Sequence, residues 1–264
     1  MATIELSFSI NSYGQIPYLP ASPPLSLHNQ EEQQQSSASS SALTSVGEKN
    51  SQGTALNGLN NNTSKLVIIT FGDGLQSQYI YAKPILDKYA FKANFFVTCN
   101  KVGLSNSKIT WQELVQLYKE GHVIGSKTVD YGTRAKGKGD IDLNHISANK
   151  LEYEVGQSKQ CILDHGINNT KVFAVPKNVA SDNQTVINTI SKYYDFAING
   201  HSNLMYLSAN RYSIGEYSMQ HIRDDGTSYD NSQMFGQFVA VVNSQNKFNK
   251  DGMINAIPVI GYHE

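Results

Sequence analysis

Four side chains of this sequence could do chemistry together if the fold brings them to one place: Asp73, Lys127, Tyr131 and His263. Asp73 lies in Gly72-Asp73-Gly74, a turn that stops the apolar run 66–71 and therefore sits at the carboxyl end of a strand. The segment GHVIGSKTVDYG at 121–132 has the outline of a metal-binding stretch, with Lys127 and Tyr131 where two imidazoles would be expected. His263 follows another apolar run, IPVIGY at 257–262. A carboxylate or an imidazole can ligate a metal or move a proton. A charged lysine offers no lone pair, and a phenol is a poor zinc ligand at neutral pH because it stays protonated. The pattern is that of a metal-dependent active site with its scaffold kept and most of its ligands replaced. An ammonium at Lys127 could pair with Asp73 and stand in electrostatically for the missing cation.

The elements that must position these groups alternate in type. Strand runs are expected at 66–71, 94–98, 123–125, 171–176, 195–198 and 257–262. Between them, helical spacing marks 77–90, interrupted by Pro84, which implies a kink or a helix start there, then 111–118, 147–166, 184–194 and 233–244. Thr110-Trp111-Gln112-Glu113 is a capping box, and Gly166 closes the 147–166 helix. Alternation of this kind predicts parallel β/α units, with chemistry gathered at the carboxyl ends of the strands. Asp73, Lys127 with Tyr131, Pro176 with Lys177, and His263 all fall at such ends.

On these motifs the chain resembles the polysaccharide deacetylase family, the NodB-homology domain, over residues 65–264. Thr70-Phe71-Gly72-Asp73-Gly74 parallels the family's Thr-Phe-Asp-Asp-Gly. Gly121-His122-Val123-Ile124-Gly125-Ser126-Lys127-Thr128, followed by Tyr131, parallels its Gly-His-Glu-Ile-Gly-x-His-Thr and the second histidine beyond. Phe173-Ala174-Val175-Pro176-Lys177-Asn178 stands for the aromatic-Pro-Tyr-Gly type segment, and Tyr262-His263 for the final strand-end histidine. The resemblance implies a distorted (β/α) barrel and a family reaction, metal-dependent N-deacetylation of N-acetylglucosamine-type polymers. In that chemistry an Asp and two His hold zinc or another divalent metal, which polarises the carbonyl and activates water. The resemblance further implies that Asp73 is the surviving metal ligand, and that Lys127 and Tyr131 replace the two His ligands. Gly72 occupies the lost general-base position, His263 is the catalytic acid, and Pro176 and Lys177 lie in the substrate wall. No tightly bound cofactor is expected. The expected function is a catalytically impaired deacetylase-like protein of carbohydrate metabolism with a glycan-binding cleft. An active enzyme with ligands rearranged through His122 or His145, and a structural surface domain, stand as alternatives.

Composition bounds the rest. The 264 residues carry 16% charged side chains and a net charge of −1, so no basic field argues for a nucleic-acid partner. No run of about 18 apolar residues marks a membrane span. Residues 1–64, with EEQQQSSASSS and GLNNNTS, read as a disordered low-complexity leader or linker ahead of the 65–264 domain. Residues 1–9 do not read as a signal peptide, and the end at Glu264, directly after a strand, suggests further chain. Polymer partner and spacer together suggest an extracellular or surface location. Asn-x-Ser/Thr triplets at Asn61, Asn62, Asn168 and Asn183 are possible glycan acceptors on an exported chain. Cys99 and Cys161 read as two buried thiols sooner than as a pair. His122 reads as structural, Arg134, Lys136 and Lys138 as a solvated loop, and Tyr193 and Tyr194 as surface and core of one helix. His145, His165 and His201 have no partner spacing.

Overall fold

The computed structural model describes residues 8–10, 65–131, 142–178, 180–200, 204–219, 221–222 and 226–263. The readings for Asn61, Asn62, the Arg134–Lys136–Lys138 loop and His201 fall outside them. Ten strands are described: β1 (Phe8–Ile10), β2 (Lys65–Phe71), β3 (Asn94–Val97), β4 (Val123–Ser126), β5 (Val172–Ala174), β6 (Phe196–Gly200), β7 (Leu204–Tyr206), β8 (Ile214–Gly215), β9 (Tyr217–Met219) and β10 (Ala256–Tyr262). Six α-helices accompany them: α1 (Lys83–Lys88), α2 (Trp111–Lys119), α3 (Ala148–Glu152), α4 (Ser158–Asp164), α5 (Gln184–Ser191) and α6 (Asn231–Ser244).

The sheet runs β7-β10-β2-β3-β4-β5-β6-β8, parallel throughout except where β7 pairs antiparallel with β10. The strands at its two ends, β7 and β8, pack side by side without a ladder among the described residues, so the sheet curls into a nearly closed α/β barrel. Both faces are covered, which is why the strands read as continuous apolar runs instead of alternating ones. In β2, Val67, Ile69 and Phe71 face the helices, while Ile68 joins Phe96, Val172, Ile198, Met205, Ile214 and Val259 in the interior.

Several expectations shift. Pro84 stands at the second residue of α1, in keeping with a helix start there, and a π turn at Gln78–Ala82 runs directly into it with helical backbone at Ala82 and Lys83. The 147–166 helix contains a π turn at Tyr153–Gln157 and ends with Gly166 at φ 81°. The capping box at Thr110 forms as read. Strands β7, β8 and β9 went unread because each is only two or three residues long. Phe8–Ile10 pairs antiparallel with the start of β2, so the disordered reading does not hold for those three residues. The rest of 1–64 lies outside the described residues.

The two cysteines are not free thiols. Cys99, just past β3, forms a disulfide with Cys161 of α4. Spacing could not disclose this, because only the packing of α4 over the end of β3 brings positions 62 apart in sequence together. Closing a loop of that length contributes about 4 kcal/mol by the chain-entropy relation. The Cys99→Ser, Cys161→Ser double variant should therefore lose about 2–4 kcal/mol in urea unfolding relative to the parent, and the parent under reducing conditions should match it.

Candidate functional site

The strand register sets the geometry. Tyr262 of β10 lies opposite Phe71 of β2, so His263 is level with Gly72, and the Gly72 N–H donates to the Tyr262 carbonyl at 2.9 Å. Phe71 pairs with Phe95, and Phe95 with Ile124, which puts Asp73 and Lys127 just above the same rim. Asp73 and Gly74 both take left-handed conformations, φ 68° and 55°, which Asp tolerates and Gly favours. The turn is held from below by Gln78, buried at the π turn: its amide donates to the Gly72 carbonyl at 2.6 Å and accepts from the Leu75 N–H at 3.2 Å. Lys108 donates to the Asp73 carbonyl at 2.9 Å. The Asp73 side chain is thereby aimed into the barrel mouth.

Lys127 meets it there. Its Nζ donates to Asp73 Oδ1 at 2.9 Å, with side-chain exposures of 8% for the lysine and 25% for the aspartate. The ammonium also stands 5.1 Å from the centre of the Tyr131 ring, within cation–π range. His263 Nδ1 lies 3.4 Å from Asp73 Oδ2 on the other side. Burial pushes the Asp73 carboxyl up, but His263 and Lys127 together outweigh it and hold its pKa well below the carboxylate range. Asp73, Lys127, Tyr131 and His263 thus converge as the motif spacing predicts.

Gly72 faces His263 and Lys127 at close range. A Cβ at this position would lie 2.5 Å from His263 Nδ1 and 3.6 Å from Lys127 Nζ. The imidazole fills the volume that a side chain at 72 would need. Pro176 and Lys177 occupy the turn after β5; Pro176 is buried, and Lys177 is exposed at φ 61°. The Lys177 charge acts on Asp142, whereas Lys127, His263 and Lys108 interact with Asp73.

Three supporting carboxylates and amides escape sequence reading. Besides Gln78, Glu216 projects from the link between β8 and β9, where its side chain is nearly buried. It accepts a hydrogen bond from the Thr70 hydroxyl and places Oε2 4.0 Å from His263 Nε2. Gly261 makes room for it, since a Cβ there would overlap its carboxylate. Glu154, fully buried in the π turn, accepts from the Val129 and Asp130 N–H groups at 2.9 Å each and pairs with Lys150 at 2.7 Å, which fixes the loop carrying Lys127 and Tyr131. Nothing in the spacing around Glu154 or Glu216 distinguishes them from surface acids.

Among the described residues, His145, His165 and His122 have their contacts elsewhere. His145 is exposed and pairs with Asp142 at 2.9 Å, and His165 stacks on Trp111. His122 precedes β4, at the opposite barrel end, buried within 4.8 Å of Asp87 and Glu120. This trio has the residue types of a metal site. Its Nδ1, however, accepts from the Ala93 N–H at 3.2 Å, which leaves the ring proton on Nε2. The Lys83 ammonium already bridges Asp87 at 2.6 Å and Glu120 at 2.7 Å.

Comparison with known proteins follows this geometry. A family model described as polysaccharide deacetylase matches residues 59–194, just over half of the chain. YxkH of Bacillus subtilis (strain 168), which carries a polysaccharide deacetylase name, is 29% identical over 98 residues, 37% of this chain and 32% of that protein. Among solved structures, the Streptococcus pyogenes deacetylase PplD in complex with acetate aligns at TM-score 0.44 and 24% identity, over 50% of this chain and 55% of that one. The chitin deacetylase of the fungal pathogen Colletotrichum lindemuthianum aligns at TM-score 0.47 and 14% identity, over 75% and 72%. The chain thus spans about a third of the first of these relatives and about half of the second.

Two outcomes follow from the geometry. Lys127→Ala should cost about 3–5 kcal/mol by leaving the Asp73 carboxylate without its ammonium, and adding Asp73→Ala should recover part of that loss in a double-variant cycle. Equal, additive losses in chemical unfolding would count against the pair. Burial is the main cause that holds His122 down to about 4, from an unfolded value of 6.5. Its neutral form is therefore the one the fold favours. The associated stability is complete above pH 6.5 and declines as pH falls toward 4, by about 3 kcal/mol in all. His122→Phe should flatten that part of the stability curve.

Proposed function

The chain belongs to the polysaccharide deacetylase family, and from that membership we propose that it is a glycan-binding relative in which metal-dependent N-deacetylation is impaired. The observation that carries this reading is the Lys127 ammonium 2.9 Å from Asp73, the place beside the carboxylate that a divalent cation would take. A zinc site needs several lone-pair donors, commonly imidazole and carboxylate. Around Asp73 the barrel mouth offers one carboxylate already neutralised by an ammonium, and an imidazole whose Nδ1 faces the same carboxylate. These residues do not fit a tightly held metal. The base position fares no better: Gly72 has no side chain, and His263 occupies its space. Loss of a general base alone removes about 10²–10⁴ in rate. The alternative of ligands rearranged through His122 or His145 finds no support, since the first lies at the far end of the barrel and the second is tied to Asp142.

The retained scaffold supports binding. Charged groups from three strand ends, Asp73, Lys127 and His263, meet at the barrel mouth, the Tyr131 ring lies against the Lys127 ammonium, and the turn bearing Pro176 and Lys177 follows a fourth strand, β5. Such a mouth is suited to an N-acetylglucosamine-type polymer. The Cys99–Cys161 disulfide supports an oxidising, extracellular or surface setting.

The test measures metal content and acetate release together. Purified protein should hold well under one equivalent of zinc and release no acetate from chitin oligomers or peptidoglycan above a no-protein control. One equivalent surviving dialysis against a chelator, or chelator-sensitive acetate release, would overturn the impairment. Absence of any glycan binding would instead favour a structural surface domain.

A further inference from the structure

The helical run from Ala148 to Asp164 changes character at its centre. A π turn, Tyr153–Gln157, separates α3 from α4 and contains Gly156. Both features weaken a helix: π turns have poorer packing of their hydrogen bonds and recur at functional sites, and glycine costs about 1 kcal/mol relative to alanine. A packing reason for the glycine is visible. A Cβ at Gly156 would lie 2.8 Å from Tyr193 Cζ and 3.0 Å from its hydroxyl. The Tyr193 ring therefore rests against bare backbone and forms one wall of a groove.

This groove has a volume of about 500 Å3, within the roughly 300–1,000 Å3 typical of small-ligand sites. Its chemistry narrows the ligand. Among the described residues Leu163 is the one aliphatic side chain in the lining, which disfavours a lipid or an apolar peptide. Its two charged side chains both have polar partners. The Glu152 carboxylate pairs with Lys192 at 2.8 Å and accepts from the Tyr193 hydroxyl, and Lys159 donates to the Tyr193 carbonyl. Among the described residues the lining holds one acid, Glu152, and one base, Lys159, so it presents no cluster of like charge to recruit a phosphate, a uronate or a nucleic acid. What stays open is a tyrosine face and primary amides. Tyr153 is 42% exposed, with the Lys150 ammonium 4.4 Å from its ring centre on one side. Asn149 and Gln157 offer amide groups that each donate and accept.

A pyranose carries a C–H face flanked by hydroxyls that both donate and accept. We propose that this groove is a second ligand site, binding a neutral oligosaccharide by stacking a sugar ring on Tyr153 and hydrogen-bonding its hydroxyls to Asn149 and Gln157. The site is separate from the strand-end cluster and stands on its own lining, not on the reading of that cluster.

Titration of 15N-labelled protein with chitopentaose and with cellopentaose, followed by heteronuclear NMR, tests it. Saturable shifts are expected at the side-chain amides of Asn149, Gln157 and Gln160. Tyr153→Ala and, independently, Gln157→Ala should weaken that titration about tenfold, equivalent to about 1.4 kcal/mol, with unchanged melting temperature and unchanged shifts near Asp73. The proposal fails if shifts are confined to the surroundings of Asp73, if neither sugar produces saturable shifts in the groove, or if both variants titrate like the parent. Saturating groove shifts without any near Asp73 would uphold this site and count against the strand-end cleft alone.

Discussion

A carboxylate drawn out of water at the mouth of a barrel must be answered by opposite charge, or it will not stay ionised. In this protein the answer is the ammonium of Lys127. Asp73 is turned inward by a left-handed backbone that its neighbours enforce, and Lys127 arrives from the next strand but one with its long stem buried. Once that pair is formed, other features of the site become consequences. Tyr131 can rest against the ammonium, His263 can approach the second carboxylate oxygen, and residue 72 must lack a side chain because the imidazole is already there.

The pair depends in turn on backbone that is held from behind. Gln78 ties down the turn before Leu75, and Glu154 gathers the N–H groups of Val129 and Asp130. Glu216 reaches Thr70 and approaches the far side of His263. Each supporting group is buried or nearly so and is placed by an irregular piece of chain, either a π turn or a two-residue strand. Such pieces are costly in isolation and persist because the regular barrel around them is rigid. The charge at the barrel mouth is therefore balanced internally.

Opposite ends of the molecule show the same rule with different outcomes. At the far end, Asp87 and Glu120 beside His122 have the composition of a metal site, yet Lys83 bridges both acids. At both ends a lysine ammonium pairs with the carboxylate a divalent ion would need, Lys83 with Asp87 and Glu120 and Lys127 with Asp73. Residue types within reach of one another are thus a weak guide to metal binding until the protonation state and the existing ion pairs are known.

How much of this was legible beforehand divides along physical lines. Alternating apolar runs and helical periods disclosed the parallel β/α order, because burial on both faces leaves that trace in any sequence. The Gly72-Asp73-Gly74 turn and the strand-end positions of Lys127, Tyr131 and His263 disclosed the cluster, and charge complementarity alone suggested the Asp73–Lys127 pair. The disulfide, the short strands β7 to β9, the roles of Gln78, Glu154 and Glu216, and the packing of His263 over Gly72 were not legible. They depend on contacts between residues far apart in the chain, where local propensity carries no record of who meets whom. Residue chemistry and periodicity determined which groups stand at the barrel mouth. Only the closure of the strands into register decided their distances, and with them whether a carboxylate faces an ammonium or open space.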